Sequence, residues 1–282
     1  MSDPEAPSYP PEVHILRDLA PVVERDGQGS TLFLPIVPEI LDHGGRPRVG
    51  VLAAVVDVVA GETAIREVLP EWIATSSLSL QVAHLPGEGT LRVRPRVIRK
   101  GRTTLVMEVA LDHLESDTDC GLSTVGFSIL PRRNELQARV RWAEEAEPRS
   151  EFSNATSGFE KPLLDRLGLE FDSVDPAIAR LAVEPYVLNT LGAMNGGVVA
   201  ILLDAAADHF GAHALDGPVR VRSLEIHYLK LARVGPVRAE VSRLGRTESG
   251  LLLRVSLFDE GREDVLLTVA TLLVERATPE PL

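Results

Sequence analysis

The chain carries one apolar pattern twice: residues 50–64 read GVLAAVVDVVAGETA, and residues 197–211 read GVVAILLDAAADHFG. Each copy begins with glycine, passes through six apolar residues, reaches an aspartate and becomes apolar again, and the copies are offset by 147 residues. A segment that is apolar on every side is typical of a buried helix. Because an unpaired carboxylate is costly to bury, the repeated aspartates, Asp57 and Asp204, indicate a functional site in this helix.

Length and composition predict an ordinary cytoplasmic protein of two domains. The 282 residues, 44% of them hydrophobic, suit two domains of about 140 residues each. The net charge of −12 argues against nucleic-acid binding and against binding to an anionic membrane surface. No leader sequence and no membrane span are expected. The single cysteine, Cys120, is expected to be a packing residue, and one cysteine fits a reducing compartment.

The predicted elements follow the same order in each half. A buried helix from about Val49 to Val68 precedes four segments of alternating apolar residues, and a second helix beginning at Gly196 precedes four more. This order indicates an internal duplication. The predicted organisation is a disordered tail at 1–12, a first repeat at 13–132, a linker at 133–158, a second repeat at 159–276 and a tail at 277–282.

A spaced motif surrounds the second aspartate. Asn189 is followed by five residues, then Asn195-Gly196-Gly197, then six residues and Asp204. This motif resembles that of the acyl-CoA thioesterases of the hotdog fold, the small phenylacetate-pathway type, which have Asn, five residues, His-Gly-Gly, six residues and Asp or Glu. Every spacing agrees, and the one departure is asparagine at position 195, where the family has histidine.

The resemblance implies an α+β fold, a double hotdog in which an antiparallel sheet wraps a long central helix in each repeat. The pocket of a hotdog dimer lies between two subunits, and here the two halves would take the place of those subunits. Asp204 would then face groups of the first half, and Asp57 groups of the second. One chain would act as a pseudo-dimer, either as a monomer or within a homo-oligomer.

The resemblance also implies roles in hydrolysis of an acyl-CoA or related carrier thioester. The Gly197 N–H would polarise the thioester carbonyl, Asn189 would orient water or the carbonyl, and Asp204 would be the base or nucleophile. Burial of a carboxylate raises its basicity, and free N–H groups at a helix N-terminus stabilise an oxyanion. Substrate-binding roles are expected for Gly50, Asn195, Gly196, Tyr228, Arg102 and Arg246. No metal or cofactor is expected.

The first half retains less of the motif. Asp42 stands where the motif has asparagine, Arg48 where it has histidine, and Val49 replaces one glycine. The triplet at 43–45, His-Gly-Gly, lies too far from Asp57 to match and is interpreted as a turn. We therefore expect hydrolysis to depend mainly on Asp204 and much less on Asp57.

Several alternatives remain open on the sequence alone. Asn189 could simply hold the turn before the helix, and Arg102 and Arg246 could lie on a solvated face instead of holding coenzyme A phosphates. Asp204 and His209 have the spacing of hotdog hydratases, but the helix between them points them in different directions. The main rival function is a non-catalytic protein that binds acyl-CoA as a sensor or scaffold.

Overall fold

The computed structural model describes residues 9–26, 29–132 and 147–277, and these form two copies of one unit. The first copy contains α1 (Ile15–Asp18), β1 (Val22–Asp26), β2 (Gly29–Pro35), α2 (Val49–Val68), β3 (Trp72–Val82), β4 (Thr90–Lys100), β5 (Thr104–His113) and β6 (Thr118–Leu130). A short strand, β7 (Arg149–Glu151), follows it. The second copy contains α3 (Leu163–Leu167), β8 (Glu170–Phe171), β9 (Ile178–Leu181), α4 (Gly196–Leu215), β10 (Val219–Tyr228), β11 (Val237–Arg246), β12 (Gly250–Asp259) and β13 (Val265–Arg276).

The strands of both copies join in one antiparallel sheet. Among the described residues it has thirteen strands in the order β7-β1-β2-β4-β5-β6-β3-β10-β13-β12-β11-β9-β8. The copies meet where β3 pairs with β10, with Ser79 opposite Glu225. The order on one side of this pair repeats on the other, so the sheet has an approximate twofold axis between β3 and β10. This is the arrangement expected of a double hotdog.

The two long helices pack against the sheet and against each other. Gly50 of α2 lies against the backbone of Ala200 and Ile201, and Gly197 of α4 lies against Ala54. The start of α2 thus meets residues further along α4, and the start of α4 meets a residue further along α2. Contacts in this order mean that the helices run antiparallel. The N-terminus of each helix therefore lies beside the aspartate of its partner.

Both helices are apolar on nearly all sides because both are enclosed. Val51, Leu52 and Val55 of α2 and Ile201 and Leu202 of α4 have no exposed surface. By length and composition α4 could cross a membrane, but 72% of its apolar window is buried inside the fold, as in the core helix of a folded domain. Helix α2 has the bounds that the sequence predicts.

Three expectations need correction or restriction. In the second half the sequence predicts a strand from about Ala179 to Val187, but β9 ends at Leu181. A 3-10 turn begins at Pro185, whose missing N–H cannot continue a sheet ladder. The expected tail at 1–12 is ordered from Tyr9, which packs against the core. Part of the expected linker is β7, which pairs with β1. Residues 1–8, 133–146 and 278–282 of the expected tails and linker lie outside the described residues.

The close approach of α2 and α4 predicts a cost for any side chain at Gly50. A Cβ there would lie 2.7 Å from the Ala200 carbonyl oxygen and 2.7 Å from the Ile201 Cα. Gly50→Ala should lower the free energy of unfolding by about 1–3 kcal/mol, since backbone cannot move aside as a side chain does. Urea denaturation measures this loss.

Gly61 on the same helix supplies the matched control. No heavy atom lies within 4 Å of the position that its Cβ would occupy. Gly61→Ala should therefore raise the free energy of unfolding by about 0.5–1 kcal/mol through helix propensity. Equal stability of the two variants would show that the helices are not in the close contact described.

Candidate active site

A cavity of about 530 Å³ lies between the two copies, and Asp57 lines it. This volume falls within the usual range for small-molecule sites. Its walls include apolar side chains, among them Ile65, Trp72, Met194 and Leu267. The cavity therefore combines an apolar lining with a carboxylate, an arrangement suited to a ligand that has an apolar part and a reactive polar group.

Asp57 is held in place by both copies. The Thr75 hydroxyl on β3 donates a hydrogen bond of 2.8 Å to Asp57 Oδ1. A Cβ at Gly196 would lie 2.8 Å from Asp57 Oδ2, so only glycine leaves the carboxylate room at the start of α4. Burial raises the pKa of Asp57 from 3.8 to about 6, while the hydrogen bond from Thr75 lowers it. A carboxylate with this pKa is a competent base near neutral pH.

The start of α4 borders the same cavity. Asn195 is the N-cap, and its Oδ1 accepts the Gly197 N–H at 2.8 Å. No hydrogen bond within the described residues uses the N–H of Gly196, which lines the cavity. Tyr228 donates its hydroxyl to the Gly196 carbonyl at 3.1 Å and fixes this turn. A helix N-terminus with a free N–H can stabilise a developing oxyanion.

Asn189 forms the turn that precedes α4. Its side-chain oxygen accepts the Leu191 N–H at 2.8 Å and the Ala193 N–H at 3.2 Å. Asp42 forms the same turn before α2, with its Oδ1 accepting the N–H groups of Gly44 and Arg46. Asn189 therefore has the structural role left open by the sequence, although it also lines the cavity.

The triplet His43-Gly44-Gly45 belongs to the turn before α2, as its distance from Asp57 predicts. Gly45 has φ of +70°, and Gly192, at the equivalent place before α4, has φ of +66°. Glycine suits this left-handed conformation because it lacks a Cβ. The triplet is a turn, and the matching turn of the second half has the same backbone.

Asp204 occupies the equivalent position in the second copy, but its surroundings are closed. The Arg48 guanidinium lies 3.4 Å from both Asp204 and Asp208, and all three side chains are buried. Burial raises the pKa of Asp204 to about 7, against the lowering effect of Arg48. Asp204 thus lies in an internal ion-pair cluster, outside the cavity that contains Asp57.

Two substitutions between the copies explain why one site is open and the other closed. The residue before the long helix is Asn195 in the second copy and Arg48 in the first. The position four residues after the aspartate is Gly61 on α2 and Asp208 on α4. The Arg48–Asp208 ion pair fills the space that a short amide and a glycine leave empty in the other site.

The expected grouping of Asp204 with Asn189 and Gly197 is therefore wrong. The antiparallel packing of the helices places the aspartate of the first copy beside the motif of the second. Asn189, Asn195 and Gly196 therefore line the cavity with Asp57. The expected crossing of the halves is present, since Asp57 faces the second copy.

The other expected binding residues divide into two groups. Tyr228 lines the cavity, whereas Gly50 contacts Asp204 in the closed site. Arg102 and Arg246 are exposed and do not line the cavity. The Gly197 N–H, expected to polarise a carbonyl, is donated to Asn195, so the free N–H is that of Gly196.

The sequence did not predict that two further residues, Thr75 and Tyr9, belong to the site. Thr75 gave no motif signal, and only its position on the strand after the helix could have suggested a contact with Asp57. Tyr9 lies in the expected tail, yet its hydroxyl accepts a hydrogen bond of 3.2 Å from Asn195. Burial raises the pKa of Tyr9 to about 12. Cys120 is buried away from the cavity, and burial raises the pKa of its thiol to about 11, which agrees with a packing role.

The second copy matches a known family. Residues 185–274 match the family model of the acyl-CoA thioesterase N-terminal domain. This range begins at the turn before α4 and ends in β13. No curated protein matches the sequence. The match confirms the resemblance to the acyl-CoA thioesterases for this half, and the resemblance to the phenylacetate-pathway type stays a prediction.

Solved structures match over nearly the whole chain. An acyl-ACP thioesterase from Bacteroides thetaiotaomicron has a TM-score of 0.58 at 16% identity, covering 87% of this chain and 97% of its own. The tesB protein of Mycobacterium avium subsp. paratuberculosis has 0.60 at 14% identity, with 90% and 94% covered. A protein with a hot dog fold from Alicyclobacillus acidocaldarius has 0.59 at 13% identity, with 95% and 99% covered. These likenesses confirm the α+β double hotdog fold.

The closed site predicts a pH-dependent cost of removing Arg48. Arg48→Met keeps the length of the side chain but leaves Asp204 and Asp208 buried without a cation. The variant should lose about 3–5 kcal/mol of unfolding free energy at pH 8. It should lose less at pH 5, because the two carboxyls then take up protons and their burial costs less.

Urea unfolding at both pH values measures this effect, with Arg102→Met as the control for removing an exposed arginine. The control should change stability little at either pH. A loss from Arg48→Met that is the same at pH 5 and pH 8 would contradict the assignment of Arg48 as the partner of two buried carboxylates.

Proposed function

We propose that the protein hydrolyses acyl thioesters in the cavity beside Asp57. The observation that carries this proposal is a carboxylate of raised pKa that opens on an apolar cavity next to the free Gly196 N–H. A base and an oxyanion donor that border one space are the two elements that thioester hydrolysis requires. The family match of the second copy supports the same reaction class.

In the proposed reaction a water molecule next to Asp57 attacks the thioester carbonyl carbon while Asp57 accepts a proton from it. The Gly196 N–H and the positive end of the α4 dipole stabilise the tetrahedral oxyanion. Collapse of this intermediate breaks the carbon–sulfur bond, and the protonated Asp57 returns its proton to the thiolate. The products are a carboxylic acid and a thiol, and Asp57 ends the cycle ionised.

The proposed substrate is an acyl-CoA. A carrier-protein thioester is the alternative, because one of the similar structures is an acyl-ACP thioesterase. Both copies needed for the site belong to the same chain, so we propose that a monomer is a complete catalytic unit, even where chains associate further. The cytoplasmic location also stays a prediction, supported by the single cysteine.

The two aspartates give a matched pair of variants. Asp57→Asn keeps the shape of the side chain but removes the base, and kcat should fall by about a hundredfold or more. Asp204→Asn changes the equivalent residue of the closed site and should change kcat little. Initial rates with a series of acyl-CoA substrates measure both effects, and a larger loss from Asp204→Asn would reverse the assignment.

The fold of the Asp57→Asn variant can be checked through its pH dependence. The raised pKa means that the folded protein binds this proton more tightly than the unfolded chain does, so ionisation of Asp57 lowers stability as pH rises from 3.8 through about 6. The variant should equal the unmutated protein in stability near pH 4. Above pH 6 it should be more stable, by at most about 3 kcal/mol.

A second test uses the pH dependence of the reaction. The base must be ionised, so kcat/KM should rise with pH and become constant above the pKa of about 6. Thr75→Val removes the hydrogen bond that lowers this pKa, and the midpoint of the rise should move to higher pH. A midpoint that is identical in both proteins would exclude Asp57 as the titrating base.

The same assays distinguish the rival function. An unmutated protein that binds acyl-CoA tightly but cleaves no thioester of any acyl length would be a binding protein, and the catalytic proposal would be wrong.

A further inference from the structure

The cavity extends from Asp57 along one face of α2. Asp57, Gly61 and Ile65 all line it, and they are spaced one helical turn apart. Eight residues of helix at 1.5 Å per residue correspond to about 12 Å. The cavity therefore contains an arm that begins at the proposed reaction centre and follows the helix axis away from it.

The residues that line the cavity differ in exposure. Along α2 the lining is buried, with Ile65 6% and Trp72 7% exposed. Leu229 and Leu231, which also line the cavity, are 51% and 41% exposed, so the cavity meets solvent beside them. An acyl thioester consists of an apolar tail and a large polar carrier, and burial favours only the tail. The tail therefore belongs in the arm along α2, and the carrier beside the exposed part of the lining.

The charged groups of this arm are already paired. Arg25 donates to both carboxylate oxygens of Glu62, at 2.5 and 2.9 Å, and to the Ser150 hydroxyl at 2.7 Å. Glu62 also accepts a hydrogen bond of 3.0 Å from the Ser30 hydroxyl. Because these groups satisfy one another, they offer no free charge to a polar group at the end of the tail. A hydrocarbon tail fits this arm better than one that ends in a carboxylate.

Gly61 is the position along the arm where the absence of a side chain leaves the most space. No heavy atom lies within 4 Å of the place where its Cβ would be, so the space beside it is open. The equivalent residue of α4 is Asp208, whose side chain reaches Arg48 across the corresponding space and fills it. The position four residues after the aspartate therefore leaves open space on α2, whereas on α4 a side chain fills that space.

We propose that Gly61 determines the acyl length that the protein accepts, and that the substrates are thioesters with unbranched hydrocarbon tails that pass Gly61 and reach Ile65. This inference rests on the proposed hydrolysis at Asp57. Gly61 would then determine specificity without taking part in the reaction, and the preferred acyl chains would be apolar and of medium length.

A graded series at position 61 tests the proposal. Increasing bulk is added to the open space by Gly61→Ala, Gly61→Leu and Gly61→Phe. The α2 backbone at this position has helical geometry, so it accepts residues other than glycine. The unmutated protein should prefer octanoyl- and decanoyl-CoA to acetyl-CoA. Gly61→Leu should lower kcat/KM for the longer substrates by about tenfold or more relative to butyryl-CoA. Glu67→Leu adds the same side chain on the exposed face of α2 and should leave the preference unchanged.

Calorimetric binding of decanoate separates the failure of this inference from the failure of the proposed function. Decanoate should bind the unmutated protein and the Glu67→Leu variant, and Gly61→Leu should weaken its binding by about tenfold or more. Loss of decanoate binding in Gly61→Leu, in a protein that hydrolyses no thioester, would support the tail path and reject hydrolysis. Hydrolysis with the same chain-length preference in Gly61→Leu would support hydrolysis and overturn the role of Gly61. Melting temperatures no lower than that of the unmutated protein exclude a general loss of structure.

Discussion

The close antiparallel packing of α2 and α4 determines most of what the molecule can do. Gly50 and Gly197 let the helix backbones approach each other where any side chain would collide. This approach places the N-terminus of each helix beside the aspartate of the other. A carboxylate that is costly to bury thereby lies next to backbone N–H groups, which are the neighbours that stabilise negative charge. The twofold relation of the copies produces two such junctions from one pattern.

The two junctions have diverged in opposite directions. At one, Arg48 and Asp208 form a buried cluster with Asp204, and little space remains. At the other, Asn195 turns its side chain to cap α4 and to contact Tyr9, and a cavity remains beside Asp57. An ion pair holds the first junction together, while at the second Asp57 lines the cavity with a raised pKa and a hydrogen bond from Thr75. The duplicated fold thus has one open junction at a cavity and one closed junction held by an ion pair.

Local patterns in the sequence predicted the elements, and the resemblance predicted that the halves face each other, but neither predicted which groups share one cavity. The apolar run and its flanking residues defined α2 from Val49 to Val68, and the His43 triplet was correctly interpreted as a turn. The motif at Asn189 was assigned to Asp204 because spacing along the chain cannot show which helix lies opposite. Thr75 and Tyr9 reach the site only through tertiary packing. The Arg48–Asp208 pair was also invisible, since 160 residues separate its members.

The central claim is that each chain has one working site, composed of Asp57 from the first copy and the start of α4 from the second. A crystal structure with a non-hydrolysable acyl-CoA thioether tests it most directly. We predict one bound molecule per chain, with its thioether beside Asp57 and Gly196 and its tail along α2 past Gly61. A molecule bound beside Asp204, or two molecules bound to one chain, would contradict the account.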